Sequence, residues 1–196
     1  MPKNKRLLLA LIIIMTSIGC DQTTKQIAHK KLPRWQKISY LDDTIRLQYA
    51  ENAGAAFSIG ADLPASTRWF IFNLGQGIFL LILLIYLIRN VNQQFSQFLG
   101  FTFILGGGLG NFIDRIIRDG VVVDFLNLGI GNIRTAIFNV ADVAITTGLV
   151  LLIIGMFFSN EEQEEPPGQP SDTLPEQPRK DADDAATPGE AEDAGR

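Results

Sequence analysis

Long apolar runs alternate with polar segments through the first 158 residues of the chain. Leu7 to Cys20 is mostly apolar, and nothing in Asp21-Gln22-Thr23-Thr24-Lys25-Gln26-Ile27-Ala28 breaks a helix, so one helix is predicted over about 7–27. Trp69 to Ile88 is a 20-residue run interrupted only by Asn73, Gly75, Gln76 and Gly77. Phe95 to Ile117 is apolar for two-thirds of its length and then turns polar and glycine-rich. Ile137 to Phe158 instead keeps its polar residues, Asn139 and Asp142, in its first turns. A hydrocarbon core of about 30 Å is crossed by about 20 helical residues. The pattern therefore predicts an all-α membrane protein with four transmembrane helices, at about 7–27, 69–88, 95–117 and 137–158.

The polar segment from Lys31 to Arg68 is too long for a tight turn. Within it, Thr44-Ile45-Arg46-Leu47-Gln48-Tyr49 alternates apolar and polar residues, which predicts a half-buried strand and hence a small β element. Asn52-Ala53-Gly54-Ala55-Ala56-Phe57 follows. Small residues around Gly54 let the backbone approach a neighbour closely, and Asn52 is a directed hydrogen-bonding group. A plain loop accounts for these residues equally well.

Four spans in sequence must alternate in direction. Asp21, Lys25, Asn52, Gly54, Asn111, Asp114, Arg115, Asp124, Asn139 and Asp142 then fall on one membrane face. The N-terminus, the 89–94 connection and the C-terminal segment fall on the other. Such clustering points to a single site at an interface. Lys and Arg near span ends do not settle which compartment it meets. The N-terminus carries three and the 89–94 loop one, against seven Lys and Arg with five acidic residues over 21–68.

Charge divides the chain at the last span. Residues 1–158 carry 14 Lys+Arg against 9 Asp+Glu, residues 159–196 carry 3 against 12, and the pI of about 5.0 therefore describes a tail. Glu161-Glu162-Gln163-Glu164-Glu165-Pro166-Pro167 opens that tail, which has almost nothing to bury and is predicted to be disordered. The domains expected are a four-helix membrane domain over 1–158 and an acidic tail over 159–196. A basic membrane body suits anionic headgroups, and no nucleic-acid partner is expected. One cysteine excludes an intramolecular disulfide, and one cysteine with one histidine is a poor zinc ligand set. Neither a metal nor a cofactor is expected. The basic start before Leu7 also fits a secretory signal, with Ser17-Ile18-Gly19-Cys20 as a degraded lipoprotein cleavage box.

Polar groups in or beside lipid cost free energy and call for a reason. Asp124 and Asp142 stand at the two ends of one connection between spans. Two nearby carboxylates cannot both ionise cheaply, so one can take a proton from water while the other donates to a carbonyl. A place in the first turn of a helix favours the anion, which makes Asp142 the more readily ionised partner. Helix-cap and loop carboxylates are the plainer account of the same pair. Asp21 and Lys25 are spaced to pair on one helical face. Gly106, Gly107, Gly108 and Gly110 allow close helix packing, with Asn111, Asp114 and Arg115 on the same face. Cys20 and His29 would be about 13 Å apart on a continuous helix, too far for a nucleophile–base pair. No serine stands in a distinctive setting beside Lys25, Lys30 or Lys31. A proton-coupled transporter or channel subunit would want its carboxylates near the midplane and an internal repeat, and neither is visible.

These motifs resemble the lipoprotein signal peptidase (signal peptidase II) family. Asp21-Gln22-Thr23-Thr24-Lys25, Asn52-Ala53-Gly54-Ala55-Ala56-Phe57, Gly110-Asn111-Phe112-Ile113-Asp114-Arg115 with Val122-Val123-Asp124-Phe125, and Phe138-Asn139-Val140-Ala141-Asp142 match its four motifs in order across about 7–158. The resemblance implies an aspartic endopeptidase that removes signal peptides from diacylglyceryl-modified prolipoproteins, cutting before the lipidated cysteine. It implies Asp124 and Asp142 as the catalytic dyad, Asn52, Gly54, Asn111, Arg115 and Asn139 around the substrate, and Asp21, Lys25 and Asp114 as supporting groups, the first two at the site's edge. It further implies a bacterial inner-membrane protein with cytoplasmic termini, an extracytoplasmic site and small sheet, membrane lipids as partners, and inhibition by globomycin-type cyclic peptides. Two features depart from the family pattern. One is the acidic tail, and the other is Ile133-Arg134-Thr135-Ala136-Ile137, which lacks the Trp-Pro often found before the last span.

Overall fold

In a computed structural model, which describes residues 1–54, 60 and 62–159, the first helix runs without interruption from Lys3 to Lys31 (α1). Strands β1 (Ile38–Tyr40) and β2 (Ile45–Asn52) follow. A short helix α2 (Ala65–Arg68) continues through a π-helical stretch, Trp69–Gly75, into α3 (Gln76–Arg89). Then come α4 (Phe95–Ile117), β3 (Val122–Ile130), β4 (Ile133–Arg134) and α5 (Val140–Ser159). The residues Ala55, Ala56 and Phe57 of the second motif, and the tail from Asn160 onward, lie outside the described residues.

Among the described residues, three helices are long and apolar enough to cross a membrane: Lys3–Lys31, Ser66–Arg89 and Val140–Phe157. α4, expected as a fourth span, has 23 residues but is not among them. Its composition follows from its position. It packs against α1, α3 and α5, and its buried residues include Gly106, Gly107, Gly108, Gly110, Asp114 and Arg115. A helix enclosed by protein on several sides can carry polar groups that a lipid-facing helix cannot.

Glycine sets the spacing of α4 and α5. A Cβ added to Gly100 would come within 2.8 Å of the Gly148 carbonyl oxygen, and one on Gly107 would strike that of Ala141. Backbones this close gain dispersion contacts that a larger side chain would forbid. On the other side of α4, Leu80, Leu83 and Leu87 of α3 form a core with Ala10 of α1 and with Phe98 and Leu105. Leu81, Ile82 and Ile85 of α3 and Ile153 of α5 remain exposed, as side chains turned to lipid would be.

The four strands form an antiparallel sheet in the order β1-β2-β3-β4. The strand expected over 44–49 is β2, extended to Asn52. The sheet is larger than the alternation predicted, because Val122-Val123-Asp124-Phe125 opens a nine-residue strand. All four of those residues are buried, so no polar face marks them as a strand. α5 begins at Val140 rather than 137 for a related reason. Phe138 exchanges backbone hydrogen bonds with Leu126, which holds the approach in extended form against β3.

Candidate active site

Sheet register brings Asn52 to Asp124. Ala50 lies opposite Asp124 and Asn52 opposite Val122, after a bulge that sets Gln48 and Tyr49 against Phe125 alone. Without the extra residue, Asn52 would point to the other face of the sheet. With it, Asn52 Nδ2 donates to Asp124 Oδ2 at 3.2 Å.

The Leu126–Phe138 bridge then delivers Asn139 beside the same carboxylate. Asn139 caps α5 through a reciprocal pair. The Asp142 N–H donates to Asn139 Oδ1 at 3.0 Å, and the Asn139 N–H donates to Asp142 Oδ2 at 3.0 Å. Asn139 Nδ2 reaches Asp124 Oδ1 at 2.7 Å. One residue thus hydrogen-bonds both carboxylates, through its side chain on one and its backbone on the other.

Three asparagine amides face the pair, and each has its orientation set by a group that can only donate. Asn52 Oδ1 accepts from the Gly54 N–H at 3.0 Å, Asn139 Oδ1 from the Asp142 N–H, and Asn111 Oδ1 from Lys25 Nζ at 2.8 Å. Their NH2 groups are therefore turned toward the carboxylates, Asn111 Nδ2 meeting Asp142 Oδ1 at 2.9 Å. Asp142 is half-buried, whereas Asp124 is only 4% exposed. Burial, and then the charge of Asp142, push the Asp124 carboxyl up to about 6, against the lowering effect of the Asn52 and Asn139 bonds.

A cleft of about 850 Å³ opens on the pair. Asn52, Gly54, Asn111, Arg115, Asp124 and Asp142 line it, together with Val143, Ile145, Leu149 and Val150 along α5. Arg115 borders this space while its donors hold surrounding backbone and side chain. They reach Gly54 O at 2.7 Å, Gly120 O at 3.1 Å and Gln76 Oε1 at 3.1 Å, and its guanidinium lies over Phe72. Gly120 adopts φ +88°, a conformation suited to glycine, where the chain leaves α4 for β3.

Asp21 and Lys25 lie behind the pair, fully buried, rather than at the edge of the site. Lys25 Nζ is 2.8 Å from Asp21 Oδ2 and 3.1 Å from Asp114 Oδ2, with all three side chains 0% exposed. Asp21 Oδ1 accepts the Ala141 N–H at 2.9 Å, and Asp114 Oδ2 accepts the Val123 N–H at 3.0 Å. The cluster therefore grips the residue immediately before Asp142 and the residue immediately before Asp124. Gly110 must be small here, since a Cβ would stand 2.8 Å from Asp21 Oδ2. Two further contributors, Gln22 and Gln76, had been given no role. Gln22 Nε2 donates to Gly110 O at 3.0 Å, and Gln76 Nε2 donates to Gly108 O at 3.0 Å. Gln76 interrupts an otherwise apolar run, whereas Gln22 stands among polar neighbours from Asp21 to Gln26 and has no separate signal. Among the described residues, no group of three or more His, Cys, Asp or Glu is arranged to hold a metal ion.

The model of the signal peptidase (SPase) II family matches residues 13–158. This chain belongs to that family. It is 37% identical over 153 residues to the lipoprotein signal peptidase of Streptococcus pneumoniae (strain ATCC BAA-255 / R6), covering 78% of this chain and 94% of that protein. It is 35% identical over 161 residues to the enzyme of the same name from Francisella tularensis subsp. novicida (strain U112), covering 82% and 96%. A bacterial membrane enzyme solved by the in meso method at 2.3 Å superposes with a TM-score of 0.71 at 26% identity, over 82% of this chain and 94% of that one. Among signal peptidase II proteins, then, this chain aligns over nearly the full length of its relatives. The match ends at Phe158, just inside the end of α5.

Proposed function

We propose that this signal peptidase II is an intramembrane aspartyl endopeptidase acting on diacylglyceryl-modified prolipoproteins, with Asp124 and Asp142 as its dyad. One observation carries the reading: Asn139 hydrogen-bonds both carboxylates at the polar end of a cleft whose long wall is the apolar face of α5. In this reading the signal segment and lipid chains lie along α5, and the scissile bond before the lipidated cysteine lies between the carboxylates.

Asp142, held as an acceptor by Asn111 Nδ2 and the Asn139 N–H, takes a proton from water as its oxygen attacks the scissile carbonyl carbon. Asp124, whose buried carboxyl keeps its proton up to about pH 6, gives that proton to the carbonyl oxygen. The C–N bond then breaks as the amide nitrogen takes the proton held by Asp142, and Asp124 recovers its own from the collapsing intermediate. Asn52, Gly54, Asn111 and Arg115 border the extended peptide, with Arg115 also keeping the Gly54 carbonyl in position. The buried Asn139 acts on the substrate by setting the two carboxylates around it. α4 acts as the fourth span beside the three long apolar helices. The active face is extracytoplasmic on the bacterial inner membrane, with cytoplasmic termini, and globomycin-type cyclic peptides occupy the cleft. A proton-coupled carrier would want its carboxylates in mid-span, whereas Asp124 is on a strand and Asp142 in the first turn of α5.

The test is cleavage of a diacylglyceryl-modified prolipoprotein and its unmodified counterpart by the full chain in membranes. The modified substrate is expected to be cut before its cysteine and to be protected by globomycin. Equal cutting of the unmodified substrate would remove the lipid requirement, and no cutting of either would overturn the peptidase reading.

A further inference from the structure

Seven Lys and Arg over residues 21–68 sit oddly at the membrane face assigned to the extracytoplasm. From Gln22 to Leu41 there is no Asp or Glu, whereas Lys30, Lys31, Arg34 and Lys37 follow one another closely and are exposed. Lys30 and Lys31 form no ion pair among the described residues, and Arg34 is steadied by Glu51 at 3.5 Å and by the Tyr49 ring. Trp35, in their midst, is 95% exposed.

Helix geometry gives the depth of this stretch. The apolar part of α1 starts after Arg6, and a hydrocarbon core of about 30 Å uses about 20 residues at 1.5 Å each, ending near Gln26. Lys30 and Lys31, the last residues of α1, therefore fall at headgroup level, and Arg34 and Lys37 follow within six residues of the helix end. The stretch leads into β1, whose Tyr40 is 52% exposed, and then to Leu41 at 72%. Bare Trp, Tyr and Leu among exposed cations suit a bilayer interface, where amphipathic rings settle and anionic lipids attract Lys and Arg.

We propose that Lys30–Leu41 is a headgroup-binding band that docks on anionic phospholipid. Because β1 pairs with β2 and β2 with β3, the docked band holds the strand carrying Asp124 at a set depth. This goes beyond the peptidase reading and does not depend on it.

The test uses the full chain in nanodiscs of mixed phosphatidylglycerol and phosphatidylcholine. The chain has two tryptophans, so Trp69→Phe leaves Trp35 as the sole emitter. Its fluorescence is expected to be quenched by lipids brominated near the headgroup and shielded from aqueous iodide. Phosphatidylglycerol is expected to be retained over phosphatidylcholine on extraction. Combining Lys30→Gln, Lys31→Gln and Lys37→Gln, all at exposed sites, should cut that preference about ten-fold, and raised salt should do the same to the native chain. Retention unaffected by both treatments, or Trp35 freely quenched by iodide, would overturn the proposal. None of these readouts requires cleavage, so failure here is separable from failure of the peptidase reading.

Discussion

Two carboxylate clusters, one fully buried and one opening on a cleft, are built on opposite principles. Asp21 and Asp114 enclose the Lys25 ammonium, and each also accepts a backbone N–H. Among the described residues, neutral amide donors hydrogen-bond Asp124 and Asp142, which face an open cleft. The Lys25 ammonium, in direct contact with both, ties Asp21 and Asp114 into one cluster closed to solvent. The amide donors to Asp124 do not cancel the effect of its burial, and its carboxyl stays raised to about 6, closer to the range that acid–base work needs. In the proposed mechanism, the difference separates a cluster that holds the site from one that carries out the chemistry.

Removing a dyad carboxyl should break the front cluster most completely. Asp124→Asn and Asp142→Asn keep size and some hydrogen bonding, yet neither can cycle a proton. Each is expected to lower kcat/KM for a lipid-modified prolipoprotein by about 10⁴-fold, and the double change by little more, as for residues acting as a unit. Both proteins should insert and bind substrate. Appreciable turnover by a well-folded single variant would reopen a Ser–Lys alternative.

The rear cluster should fail through stability. Lys25→Met strands two buried carboxylates and is expected to cost about 3–5 kcal/mol in thermal or denaturant unfolding. Adding Asp21→Asn should recover part of that. It should not recover the rate, because Asn111 loses the donor that turns its NH2 toward Asp142. A double variant with native turnover would reduce Lys25 to packing and charge balance.

Acidity offers a smaller and sharper contrast. A carboxyl raised from 3.8 to about 6 favours folding fully below its unfolded value and loses that contribution as pH rises through about 6. Asp124→Asn should therefore match the native melting temperature near pH 4 and exceed it near pH 8. The gap corresponds to at most about 3 kcal/mol, less what the new amide loses against Asn52. The native rate should fall above about pH 6 as Asp124 gives up its proton. A native-like loss of stability in Asp124→Asn between pH 4 and 8 would assign the titration to another group.

The smallest effect concerns the tail. Deleting residues 161–196 is expected to leave membrane cleavage unchanged within two-fold, because the family match ends at Phe158 and the segment has little to bury. A large drop at equal expression would give the tail a functional part.

Residue order alone was enough for the long apolar helices, the acidic segment and the short motifs, because each is a local pattern. Twenty apolar residues in a row report their surroundings without reference to anything distant. The strand at Val122 stayed hidden because burial on both faces erases alternation, and the start of α5 was misplaced because Phe138 is committed to Leu126. Spacing could pair Asp21 with Lys25 as an i,i+4 contact, but not say that Asp114, 89 positions after Lys25, completes the cluster. Nor could it reveal the β2 bulge that turns Asn52 to Asp124, or the Lys25 bond that orients Asn111. Those depend on which backbones meet, and sheet register and glycine-mediated helix contact are settled only when the whole chain packs.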